Sequence, residues 1–184
     1  VVFIADREPS PWSEKCIRQA DELLLVAAAS DDPIGCAVPL GALEAFALTL
    51  HAPHSRRMAI VHRRKGIVQG TRHWLTGREP AMHHHVALGD SEDMARLWRF
   101  IVGEALGFVA CGGGAYCTAH VGIYQAFREA GVSFDLIGGT SGGAAMAAAI
   151  AQDADPLAID AGVHRMFIEG RAMARYTVPR YSLL

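Results

Sequence analysis

No sign of charge dominates this chain. Its 17 lysines and arginines stand against 19 aspartates and glutamates, a net charge of -2 that excludes a surface built throughout for nucleic acid. The four cysteines, Cys16, Cys36, Cys111 and Cys117, form no C-x-x-C pair and no repeated spacing, which speaks against a zinc ribbon or a disulfide framework. A reducing compartment such as the cytoplasm is the expectation. Val1-Val2-Phe3-Ile4-Ala5-Asp6 shows no charged-then-apolar signal pattern and is expected to be a strand entered directly. Tyr181-Ser182-Leu183-Leu184 closes without a polar tail, so both ends read as cut from something longer. The charge-free stretch from Leu136 to Gln152 is broken by glycines, Thr140 and Ser141. It fits a strand, turn and helix better than a span of ~20 apolar residues.

What is present is a globular composition, 51% hydrophobic and 20% charged over 184 residues, enough for one ordinary core or two small ones. The pattern falls into two segments, about 1–102 and 103–184. In the first, Val1 to Asp6 is expected as a strand, Pro11 to Ala20 as a helix, Leu23 to Val26 as a buried strand, Leu40 to Leu50 as a helix and Met58 to His62 as a strand. Asp90-Ser91 offers an N-cap for a helix with Met94, Leu97, Trp98 and Ile101 at helical spacing, which joins the segments. The alternation implies a parallel α/β segment.

The second segment repeats one unit. Leu106 to Ala110 reads as a strand, Gly112-Gly113-Gly114 as a turn, and Cys117 to Ala130 as a helix with Val121, Tyr124 and Phe127 inward. Phe134 to Ile137 is then a strand, Ser141 a turn, Gly142 to Ala151 a helix of small residues, and Pro156 to Ile168 another helix. Gly139-Thr140-Ser141-Gly142-Gly143 fits G-x-S-x-G, in which glycines flank a serine because no Cβ fits where strand and helix approach. The following helix start offers N–H groups and a positive dipole end to an oxyanion. Gly112 to Gly114 similarly offers converging N–H groups, an oxyanion hole on one reading. A dinucleotide loop is the rival, but Cys117 stands where its last glycine belongs and no acidic residue ends the next strand.

From Gly107 through Ala149, "GFVACGGGAYCTAHVGIYQAFREAGVSFDLIGGTSGGAAMAAA" resembles the patatin-like phospholipases, where a glycine-rich oxyanion loop precedes a G-x-S-x-G serine by one helix and one strand. The upstream phrases "ADREPSPWSEKCIRQADELLLVA", "HWLTGR" and "HHHVALGDSEDMARLWRF" are similar to the region ahead of the catalytic domain in the neuropathy target esterase branch. The resemblance implies an α/β leading segment followed by the N-terminal part of a three-layer α/β/α hydrolase domain. It implies Ser141 as nucleophile, Gly112, Gly113 and Gly114 as oxyanion hole, and Gly139, Thr140, Gly142 and Gly143 as the elbow. His120 matches a histidine that often follows the loop, outside the catalytic pair. A phospholipid or lysophospholipid ester is the implied substrate, with no cofactor and no metal. Cyclic-nucleotide-binding-like domains commonly lie upstream in that branch, and none is visible here.

Two departures stand out. The family continues its glycines as Ala-Arg-Gly, whereas this chain has Ala115-Tyr116-Cys117. The family's base is an aspartate from an Asp-Gly-Gly or Asp-Gly-Ala motif, and this chain contains no Asp-Gly dipeptide. Asp153, Asp155 and Asp160 follow Ser141 too soon and read as caps or surface charges; His164 is the lone histidine beyond the elbow. The aspartate is therefore expected beyond this chain, and the fragment alone is expected to be inactive. A non-catalytic regulatory or lipid-docking module is the second reading, and a nucleotide-binding module the third. His83-His84-His85 places at most His83 and His85 on one side of an extended segment, a weak metal pattern beside a structural role. Arg56, Arg57, Arg63, Arg64, Lys65, Arg72 and Arg78 fall in a stretch without acids. A solvated or domain-docking face is the first reading of them, anionic headgroups at a membrane surface the second, and nucleic acid the last.

Overall fold

A computed structural model describes residues 1–29, 37–152 and 154–171. Cys36, Asp153 and the closing stretch 181–184 lie outside the described residues. The chain divides into two compact units, Val1–Ile101 and Val102–Leu184.

The first unit is built on a parallel sheet in the order β1-β2-β3, with β1 Leu23–Ala28, β2 Arg56–His62 and β3 Met82–Ala87. The central strand is covered on both faces, which buries Met58, Ala59 and Ile60 in succession, whereas edge strand β1 alternates half-buried and exposed residues. Helix α1 (Pro11–Gln19) starts where Ser10 accepts the Ser13 N–H at 3.0 Å and Pro11 occupies the first turn. Helix α2 (Ala42–Leu50) follows β1, a short helix α3 (Thr71–Leu75) precedes β3, and α4 (Ser91–Val102) follows it. Asp90 accepts the N–H groups of Glu92 and Asp93, each at 3.0 Å, and so begins α4. Leu97 and Ile101 pack on Ala59 and Val86, while Met94 and Trp98, of the same expected face, are exposed.

The expected opening strand is absent. Residues 1–6 form no ladder: the Asp6 N–H donates to Ser13 Oγ, Trp12 Nε1 donates to the Ile4 carbonyl, and Phe3 meets the Trp12 ring edge-on. A strand needs a neighbour for its backbone groups, and here the Asp6 N–H and the Ile4 carbonyl are bonded to side chains of α1 instead.

The second unit pairs β4 (Gly107–Ala110) with β5 (Leu136–Gly139) in parallel. The strand expected over Phe134 to Ile137 begins two residues later, because Phe134 packs against Phe108 and Phe127 and Asp135 accepts the Leu106 N–H. Between the strands, a 3-10 turn Gly114–Thr118 leads into α5 (Ala119–Glu129); after them come α6 (Gly142–Ile150) and α7 (Pro156–His164). The helix expected to Ile168 changes to a π turn at Arg165–Glu169. Phe108, Ala110, Cys117, Val121, Tyr124, Met146, Ala147, Ile150 and Ile159 form the core. Phe127, expected inward, is 39% exposed and meets the Phe134 ring edge-on. The small residues of α6 allow it to lie close on β5.

Candidate active site

Parallel pairing sets the geometry. Ala110 is opposite Gly139, and the Thr140 N–H donates to the Ala110 carbonyl at 3.1 Å. The turns that leave β4 and β5 therefore emerge side by side at the carboxyl ends of both strands, the edge at which parallel α/β sheets hold ligands. A Cβ built on Gly112 would stand 3.1 Å from Ser141 Cβ and 3.8 Å from its hydroxyl. The glycine run and the serine are thus neighbours across the sheet end.

The glycines around Ser141 are set by close approach. A Cβ at Gly139 would lie 2.6 Å from the Gly143 carbonyl, and one at Gly143 would run into the backbone carbonyls of Cys111 and Ala110. At Gly142 it would come within 2.9 Å of Cys117 Sγ. Real Cβ atoms have no room at these separations. Ser141 itself has φ 52° and ψ -131°, a conformation a non-glycine residue holds at a cost of about 1–3 kcal/mol. Ser141 is exposed and immediately precedes α6, at its N-terminal end. There the helix dipole favours negative charge. Among the described residues, the N–H groups of Gly112, Gly113 and Ser141 have no loop or turn acceptor. Unpaired N–H groups at a helix start are of the kind that can donate to an anion.

The glycine loop is tied down at one carbonyl. Cys111 O accepts from His120 Nε2 at 3.0 Å and from Cys117 Sγ at 3.5 Å. Nε2 must carry the proton to donate to a carbonyl, so this histidine braces the loop and is not offered to Ser141. Packing of the loop by the free Cys117 thiol is what its place beside the glycines implies, and the one sequence signal for the added His120 bond is that Cys117 and His120 sit three apart, on one face of a helical turn. Gly114 takes a positive φ of 58°, and Tyr116, at the crest of the loop, is 87% exposed.

No described residue makes a hydrogen bond to Ser141 Oγ. Asp155 caps α7 through the Ala158 N–H, Asp160 is exposed, and His164 lies 3.4 Å from Glu169. None of them is brought to the serine by a contact in this structure.

The histidine and arginine groups of the first unit go elsewhere. His85 Nδ1 meets His62 Nε2 at 2.8 Å and His85 Nε2 meets Thr71 Oγ1 at 3.2 Å, so both ring nitrogens have partners. The rings of His83 and His85 are 5.7 Å apart. His84 is buried against Phe100, and its Nε2 has no partner among the described residues. Burial holds both His84 and His85 neutral, at a pKa of about 4. Arg56 donates to the carbonyls of Leu48, His51 and Arg78. Arg78 is buried, bidentate to Glu44 at 2.6 and 2.9 Å, and also donates to Val38, Pro39 and Trp74. Arg57 pairs with Glu22 and Lys65 with Asp90. Of the seven cations named from the sequence, Arg63, Arg64 and Arg72 are each exposed and have no ion-pair partner among the described residues.

Two parallel sheets with their helices define an α/β protein. The neuropathy target esterase family P-loop like domain matches residues 1–103, more than half of the chain, and patatin-like phospholipase matches residues 108–167. The chain belongs to the neuropathy target esterase family of patatin-like phospholipases. It is 31% identical to lysophospholipase nte1 of Aspergillus fumigatus over 84% of its length, and 31% identical to patatin-like phospholipase domain-containing protein 7 of Rattus norvegicus over 83%. To patatin-like phospholipase domain-containing protein 6 of Pongo abelii it is 29% identical over 83%. In each case it spans 13% of the relative's own length. No solved structure matches the chain significantly. No helix among the described residues is long and apolar enough to cross a membrane.

Proposed function

We propose that this chain carries the nucleophile and oxyanion loop of a serine esterase that removes acyl groups from phospholipids or lysophospholipids. The observation that supports this most directly is the approach of Gly112 to Ser141, with 3.1 Å between a Cβ built on the one and the Cβ of the other. Ser141 Oγ attacks the ester carbonyl carbon, and its proton passes to an aspartate that completes a Ser–Asp dyad from beyond this chain. The Gly112 to Gly114 amides hold the developing oxyanion. Collapse expels the alcohol and leaves an acyl-serine, which water hydrolyses to free fatty acid and serine. In this reading the enzyme works in the cytoplasm with peripheral contact to a membrane, and the exposed Tyr116 offers an amphipathic ring beside the loop for that contact. The whole protein would add cyclic-nucleotide-binding-like domains upstream.

A fluorophosphonate probe on the whole protein tests this. Labelling at Ser141 is expected, and Ser141→Ala should abolish it and lower lysophospholipid hydrolysis by ~10³-fold or more. An unlabelled Ser141 in the whole protein would sink the esterase. It would favour the second reading, a non-catalytic regulatory or lipid-docking module, which the absence of a hydrogen-bonded base at Ser141 among the described residues supports.

A further inference from the structure

Two thiols bracket the glycine loop. Cys111 is the first residue beyond β4 and is exposed, whereas Cys117, on the far side of Gly112 to Tyr116, is buried. Their sulfurs lie about one backbone carbonyl. Cys117 Sγ is 3.5 Å from Cys111 O, and Cys111 Sγ is 3.7 Å from His120 Nε2, which itself stands 3.0 Å from that oxygen. Cys117 Sγ also touches the start of the serine helix, 2.9 Å from where a Cβ on Gly142 would be. One sulfur therefore contacts both turns of the candidate site, and a second sulfur with access to solvent lies at the other end of the same loop.

We propose that Cys111 and Cys117 form a reversible disulfide across the glycine loop, and that its formation switches off the Ser141 turn. A disulfide needs an S–S distance near 2.05 Å and Cβ atoms about 3.5–4.5 Å apart. The intervening Gly112, Gly113 and Gly114 give the backbone the freedom to reach it, and Gly114 already holds a positive φ of 58°.

The oxidant is a hydroperoxide. The Cys111 thiolate attacks its terminal oxygen, the O–O bond breaks, and the alkoxide (hydroxide, for hydrogen peroxide) leaves and takes up the proton Cys111 released, as alcohol or water, which gives a sulfenic acid at Cys111. The Cys117 thiolate then attacks that sulfur; the S–S bond forms, the S–O bond breaks, and hydroxide leaves with the proton Cys117 released, as water. Two electrons pass from the thiols to one peroxide. A dithiol reverses the reaction.

Drawing Cys117 Sγ away from Gly142 and the Cys111 carbonyl moves the Gly112 to Gly114 amides relative to Ser141. Donors for an oxyanion must sit about 2.7–3.1 Å from it, and loss of one costs ~10²–10³ in rate. The bond itself stands apart from the esterase reading, but its consequence for activity rests on it.

The test treats the chain with hydrogen peroxide, maps disulfides by peptide mass, and measures the rate of fluorophosphonate labelling at Ser141 in the whole protein before and after. The expected result is a Cys111–Cys117 linked peptide with labelling about 10²-fold slower, restored by dithiothreitol. Cys111→Ser, at an exposed position, should remove the linked peptide and the sensitivity of labelling to peroxide. Cys117→Ala should instead trap a dimedone-reactive sulfenic acid at Cys111. Sulfinic acid at Cys111 without the linked peptide, or Cys111 joined to Cys16 or Cys36, overturns the pair. A linked peptide with unchanged labelling overturns the switch. If reduced protein never labels while the linked peptide forms, the esterase reading falls and the disulfide stands.

Discussion

The two units hold polar groups in opposite ways. In the first, the buried arginines and one buried histidine are occupied: Arg78 grips Glu44 and three carbonyls, Arg56 three more, and His51 Nε2 the Ile17 carbonyl at 2.9 Å, whereas His84 Nε2 is buried without a partner among the described residues. In the second, chemically interesting groups are backbone amides and one hydroxyl, held in strained or close-packed turns and left without partners among the described residues. A side chain saturated by the fold has no capacity left for a ligand. A polar group kept exposed at the cost of strain does, and that asymmetry directs attention to Ser141 rather than to the more conspicuous histidine and arginine runs.

Substitutions can break this contrast at its strongest point first. Gly143→Ala drives a Cβ into the backbone carbonyls of Ala110 and Cys111, so a loss of ~3–5 kcal/mol is expected, visible as collapse of hydrogen-exchange protection across β4, β5 and α6. Glu44→Ala strands the buried Arg78 charge and should cost ~2–4 kcal/mol, read in the first unit as faster exchange in β2 and β3. Acidification acts on the same unit. His84 and His85 have folded pKa values of about 4, against 6.5 unfolded, so below pH 6.5 the unfolded chain binds more protons. The stability they contribute is fully present above that pH and is lost as pH falls towards 4. At pH 5 the loss should be roughly 1–2 kcal/mol per histidine by urea unfolding. A substitution to phenylalanine at His84 should remove its share of that dependence. The smallest effect has the opposite sign: Ser141→Gly relieves the positive φ and should stabilise the second unit by ~1 kcal/mol while ending fluorophosphonate labelling. A destabilised Ser141→Gly variant would count against stored strain at the turn.

Much of the fold was legible. Helices α1 and α2 and strands β1 and β2 lie where Pro11, the apolar period and the Leu23 to Val26 and Met58 to His62 runs put them, because those signals are local. The boundaries that moved are the ones set by distant partners. Residues 1–6 carry a strand's composition but bind α1, and β5 starts late because Phe134 belongs to the core. The basic stretch read as a surface because the acids that neutralise it, Glu22, Glu44 and Asp90, lie outside the run. His120, likewise, had a match but no chemistry until its carbonyl partner was visible.

At the candidate site the division is clean. The order of residues established that each strand ends in a glycine-rich turn and that a serine sits in the second, since G-x-S-x-G and the glycine run are short motifs of adjacent residues. It could not establish that the turns meet. That follows from β4 and β5 pairing in parallel with Ala110 opposite Gly139, which brings Gly112 against Ser141 and Cys117 against Gly142 across gaps of more than twenty residues. Such contacts depend on strand register and helix packing, which are properties of the assembled core and not of any single stretch of chain.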